Sequence, residues 1–125
     1  MAKFASDAVL DGMLDIIATG TSLSVCSAQP TTRAQAITSS MLATVAVTPG
    51  DGSGDFTIAN GSSSGRKVTV AEQADIEVIN TGSASHIAIT DDSNLLYVTT
   101  CTSQALTDGN TVTVPAWKIT VADPT

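Results

Sequence analysis

Positive charge, aromatic rings and histidine are all scarce in this chain of 125 residues, and each shortage excludes a class of function. Five Lys and Arg stand against twelve Asp and Glu, a formal net charge of −7. Affinity for nucleic acid comes largely from neutralising phosphates with a basic surface. Arg66-Lys67 is the only adjacent basic pair, so no nucleic-acid partner is expected. A polybasic run or basic amphipathic helix, which an anionic membrane would require, is also missing. No segment approaches the ~20 apolar residues of a membrane span. The chain holds four aromatic residues, Phe4, Phe56, Tyr97 and Trp117. That is too few for a sugar-stacking platform, and it leaves Val, Ile, Leu and Ala to build the core. One histidine and two distant cysteines without a CxxC pair do not make a zinc pattern. No cofactor or metal is expected.

What is present is a chain built to fold. Its 125 residues fit a single domain spanning 1–125. Such a length buries on the order of two-thirds of its unfolded surface. A helix is expected over about residues 6–19. Ser6 or Asp7 can cap it, and Asp7 and Asp11 lie at the positive end of its dipole. Val9, Leu10, Met13, Leu14, Ile16 and Ile17 recur at three- and four-residue steps, with Asp11 and Asp15 off the stripe, and Gly20 sits where a helix ends. That stripe either covers an open sheet face or docks on a neighbouring subunit. The three Asp in this first segment do not suit a signal peptide, which points to synthesis and folding in a cytoplasm.

From about residue 21 the apolar period changes to two. TSLSVCSA, ITSSMLATVAVT, DFTIAN, RKVTVAE, DIEVIN, ASHIAIT, NLLYVTTC, TVTVP and WKITVA read as short strands, broken by Pro30, Pro49, Gly-Ser tracts and the Asp-Gly turn of ALTDGN. About eight strands spaced near ten residues apart predict a mainly β fold. The expected form is an antiparallel β-sandwich or jelly-roll-like domain with one short N-terminal α-helix.

Residues with chemical potential are isolated. His86 lies within an alternating strand, facing away from Ile87 and Ile89, and reads as structural or solvent-facing. Cys26 and Cys101 read as small, reduced core residues; a disulfide stays open if their strands are neighbours. The DGSGD loop (Asp51–Asp55) has the Asp/Gly alternation of a calcium loop, but lacks the later bidentate Glu and flanking helices of an EF-hand; it reads as an exposed connection, with calcium a minor option. GSSSGRK has the composition of a phosphate loop without its spacing. No pair of acids stands out for glycoside cleavage. A non-enzymatic protein is expected.

Three stretches carry a resemblance: FASDAVLDGMLDIIATGTSLSVCSAQPTT, GRKVTVAEQADIEVINTGSASHIAITD and LLYVTTCTSQALTDGNTVTVPAWKITVADPT. Together they resemble the small capsid-associated cement, or decoration, proteins of tailed bacteriophages. The resemblance implies a virion structural protein on the capsid exterior, assembled in the host cytoplasm and bound to the major capsid protein. It also implies a homo-oligomer, dimer or trimer. Alternatives are a tail or head-to-tail joining component and a host-glycan-binding module. The candidate subunit and capsid interface comprises Phe4, Leu10, Met13, Arg66, Lys67, Trp117 and Thr125. The N-terminal segment around Phe4 and the strand leading to Thr125 are the favoured docking devices.

Overall fold

The computed structural model describes residues 6–50, 52, 55–61 and 65–121. The expected helix is α1 (Asp7–Ile17). Ser6 caps it, its Oγ accepting from Val9 N at 3.3 Å and its carbonyl from Leu10 N at 3.2 Å. The helix stops at Ile17, and Ala18 follows in the right-handed region, so Gly20 is no left-handed cap. Gly20 is needed for closeness. A Cβ there would strike the Ile89 side chain and lie 3.2 Å from the Ile17 carbonyl.

Nine strands follow among the described residues: β1 (Ser22–Cys26), β2 (Met41–Ala46), β3 (Phe56–Asn60), β4 (Arg66–Val70), β5 (Gln73–Glu77), β6 (Gly82–Thr90), β7 (Leu95–Leu106), β8 (Thr111–Val114) and β9 (Trp117–Val121). They form a four-stranded sheet β2-β1-β6-β7, a three-stranded sheet β3-β4-β9 and a two-stranded ribbon β5-β8. All pairings are antiparallel. The domain is mainly β and sandwich-like, as the alternation predicted.

Alternation decides which side chains meet, because residues directly opposite across a ladder share a face. Leu23 pairs with Val45 and Ile89, and Val25 with Ala43 and Ile87. This face packs into one core with Phe56, Val68, Val70 and Ile119 of the second sheet, Ile76 and Val114 of the ribbon, and Leu14 of α1. Leu14 is fully buried; truncating such a side chain to alanine costs about 2–5 kcal/mol.

The opposite face of the four-stranded sheet is covered too, and here one strand expectation needs correcting. ITSSMLATVAVT is strand only from Met41, and Gln35–Ser39 is a π-helical turn. Polar side chains organise it. Gln35 Oε1 accepts from Thr31 N at 2.8 Å and from Thr31 Oγ1 at 3.0 Å, while Gln35 N donates to Thr32 Oγ1 at 3.2 Å. The turn places Ala36 over Cys26 and Ala88. Arg33 Nε donates to the Asp91 carbonyl at 2.7 Å, tying this cover to the β6–β7 connection. Burial of Ala36 outweighs the β preference of Ile37 and Thr38.

Two further features shape the surface. β7 runs on to Leu106, pairing with Gly82–Ala84, well beyond the Cys101 at which its sequence segment ended. Between Thr100 and Gln104 it carries extra residues relative to β6, a bulge that bends it. The Asp108-Gly109 turn appears where expected, with Gly109 at φ 92°.

Candidate interaction surfaces

Only half of the apolar stripe on α1 faces inward. Leu10 and Leu14 are buried and Ile17 is half-buried, whereas Val9, Met13 and Ile16 are 64%, 59% and 61% exposed. Four- and three-residue steps stack these three along one line of the helix. They form an apolar strip on the outside of an acidic chain. Gly12 beside them meets nothing within 4 Å, even with a Cβ added.

Arg66 fixes the orientation of α1. Its Nε donates to Asp11 Oδ1 at 2.7 Å and one terminal nitrogen to Asp11 Oδ2 at 3.2 Å, while the other donates to Asn60 Oδ1 at 2.7 Å. The guanidinium thus joins the helix to β3 and β4 in a forked, partly buried geometry that a lysine could not reproduce. Together with buried Leu10, Leu14 and Ala18, the pair anchors the inward face of α1.

A second surface lies along β7. A cavity of about 530 Å³ is bordered by β7, β8 and the start of β9. Val25, Ala84 and Ile87 from the sheet contribute, with Cys101 and Gln104 of β7, Val114 of β8 and Trp117 of β9. Trp117 stacks on Tyr97 with ring centroids 6.1 Å apart. Its Nε1 is buried and finds no acceptor among the described residues. Lys118 is the sole charged residue among the lining side chains, and no carboxylate is among them.

The residues singled out by sequence therefore scatter. Met13 is exposed on α1, Leu10 is buried beneath it, and Arg66 is engaged within the chain. Lys67 is half-buried on β4, and Trp117 belongs to the cavity wall. Phe4 and Thr125 lie outside the described residues. Sequence reasoning missed the β7 edge, although its signal was readable as a long stretch, LLYVTTCTSQAL, without charge or proline.

The chemically suggestive residues are engaged structurally. His86 Nδ1 and Ser85 Oγ lie 2.8 Å apart. No carboxylate is recorded on the ring among the described residues, so the orienting member of a catalytic triad is missing there. Cys26 packs with Ala36 and Ala88, while Cys101 packs against the main core on the other side. Both thiols are free, and β6 separates their strands, which answers the disulfide question. Burial, with a smaller contribution from the Cys101 thiol, pushes the Cys26 thiol up to about 11. Burial also raises Cys101.

In the DGSGD loop, Asp51, Ser53 and Gly54 lie outside the described residues. Asp55 Oδ2 accepts from Thr48 N and Oδ1 from Gln73 Nε2 at 2.8 Å, so both oxygens serve the loop itself. No group of three or more His, Cys, Asp or Glu able to hold a metal ion occurs among the described residues. In GSSSGRK, residues 62–64 lie outside the described set, and Gly61 N donates to the Gly65 carbonyl at 2.9 Å to close the β3–β4 connection. Comparison with protein-family models, curated proteins and solved structures gave no match.

Proposed function

We propose that the protein is a non-enzymatic virion component, a capsid cement protein that binds the outer face of a phage head and stabilises its major capsid protein lattice. The observation that carries this reading is the exposed Val9–Met13–Ile16 strip on a helix tied to β4 by Arg66. An apolar strip oriented by a forked ion pair suits a protein that works by being covered. On this proposal the covering surface is the capsid lattice that the sequence resemblance implies. Support also comes from the two-sided burial of the central sheet, since a clamp on a pressurised shell must resist deformation, and interiors packed to crystal-like density transmit strain. The net charge of −7 suits a shell exterior better than a DNA-lined interior. Weak contacts repeated over a symmetric lattice sum to firm attachment, and the protein acts as a homo-oligomer, dimer or trimer.

The test is to assemble heads with and without the protein and count copies per head by quantitative gel and particle imaging. Stoichiometric copies on the shell, and earlier thermal rupture of heads lacking them, are expected. Met13→Lys should cut shell occupancy while leaving the isolated protein folded. A few copies ringed at the neck or tail would reassign the protein to head-to-tail joining.

A further inference from the structure

The two edges of the four-stranded sheet are treated differently. The β2 edge is covered: Ile79 N and Asn80 N donate to the Leu42 carbonyl at 2.9 and 3.2 Å, and Asn80 Nδ2 donates to the Met41 carbonyl at 2.9 Å. Ala43 and Val78 complete the cover with an isolated bridge. At the other end of the sheet, among the described residues, β7 pairs with β6 alone. An uncovered strand edge presents a row of backbone donors and acceptors to any other chain, and soluble proteins normally blunt it with charge, proline or brevity. β7 has none of these; the devices it does carry are bulges, one near Leu96 and one between Thr100 and Gln104, which leave Tyr97–Thr100 and Gln104–Leu106 as its regular stretches. It is the longest strand described, 12 residues, and LLYVTTCTSQAL contains neither charge nor proline.

We infer that β7 is the self-association edge of this protein. Two copies pair their β7 strands antiparallel about a two-fold axis and join two four-stranded sheets into one continuous sheet. Electrostatics selects a second copy as the occupant. Each chain carries −7, so a self-complementary patch has to be free of carboxylates, and none of the twelve acids lies on β7 or lines the adjoining cavity. An isologous contact sets every residue against its own symmetry environment; neutral Thr100, Thr102, Ser103 and Gln104 tolerate that where Asp or Glu would repel. Length is sufficient as well. Twelve residues extend at most roughly 40 Å, with the ladder to β6 interrupted near Leu96 and between Thr100 and Gln104. The strip on α1 is the poorer self-contact, because exposed Asp15 borders it and a two-fold pair would bring two such carboxylates together.

This inference rests on the homo-oligomer reading above and assigns it a surface. Sedimentation equilibrium of the full-length protein at micromolar to millimolar concentration tests it. A dimer is expected. Thr102→Lys and Gln104→Lys, at exposed positions on β7, should each weaken dimerisation at least tenfold. Thr57→Lys on β3 makes the same charge change elsewhere and should leave the dimer intact. Circular dichroism confirms that each variant is folded. Independently of any variant, amides within residues 99–104 of the wild type should gain hydrogen-exchange protection as concentration rises. A monomer throughout the range overturns both self-association and the β7 assignment. A trimer, an oligomer that survives both β7 lysines, or one dispersed by Met13→Lys retains self-association and overturns β7.

Discussion

Cys26 shows how burial becomes a pH effect at the scale of a single residue. It is fully buried between Ala36 and Ala88, and its thiol donates weakly to the Ala36 carbonyl at 3.8 Å. Desolvation disfavours the thiolate and lifts the pKa from 9.0 to about 11, with the neighbouring Cys101 adding to it. The folded pKa lies above the unfolded one, so the stabilisation is complete below pH 9 and is lost as pH rises from 9 towards 11. Unfolding midpoints in denaturant should therefore be flat on the acid side of this window and fall across it. Cys26→Ala should remove part of that fall. Alkylation at pH 8 followed by peptide mapping should label half-buried Cys101 well before Cys26, because only the thiolate reacts and Cys26 is also enclosed. Equal labelling rates in the folded protein would contradict the burial assigned to Cys26.

At the scale of the element, two glycines near α1 have opposite reasons for being glycine. Gly12 lies inside the helix with free space around it, so Gly12→Ala should stabilise the isolated protein by about 0.5–1 kcal/mol through helix propensity alone. Gly20 is pressed against Ile89 and the Ile17 carbonyl, so Gly20→Ala should destabilise by about 1–3 kcal/mol through overpacking. Thermal melts of the two variants should move in opposite directions. The helix, its Ser6 cap and the alternating strands were legible from sequence because each depends on near neighbours along the chain. Gly20 does follow the end of the helix, but its need to be glycine was illegible because that constraint comes from Ile89, 69 positions away. The π-helical turn at Gln35–Ser39 was hidden for a similar reason: Ala36 is placed by Cys26 and Ala88 of the sheet, and ITSS alone carries a strand-like run. The division of the α1 stripe into a buried and an exposed half was equally illegible, since the contacts that anchor it, the Asp11–Arg66 pair among them, link residues as far as 55 positions apart.

At the scale of the whole molecule, charge and the β7 edge act against each other, and salt separates them. Each copy carries −7. Bringing two together costs Coulomb energy that reaches farthest at low ionic strength, where the Debye length is about 30 Å at 0.01 M against about 8 Å at 0.15 M. In the proposed dimer the contacts of β7 would be backbone hydrogen bonds and neutral side chains, which salt does not screen. Only the repulsion should therefore weaken as salt is added. Dimerisation should tighten on the order of tenfold between about 10 and 150 mM NaCl and then level off. Sedimentation equilibrium across that series checks the sign directly. An association that loosens with salt would mean opposite charges meet across the interface, as Lys67 on β4 meeting a partner's carboxylates would produce, and would place it away from β7. The tightening also bears on attachment to a shell. A decoration lattice crowds many acidic copies onto one surface, so the same screening should raise head occupancy over the same salt range, whereas binding driven by charge attraction to the lattice would fall.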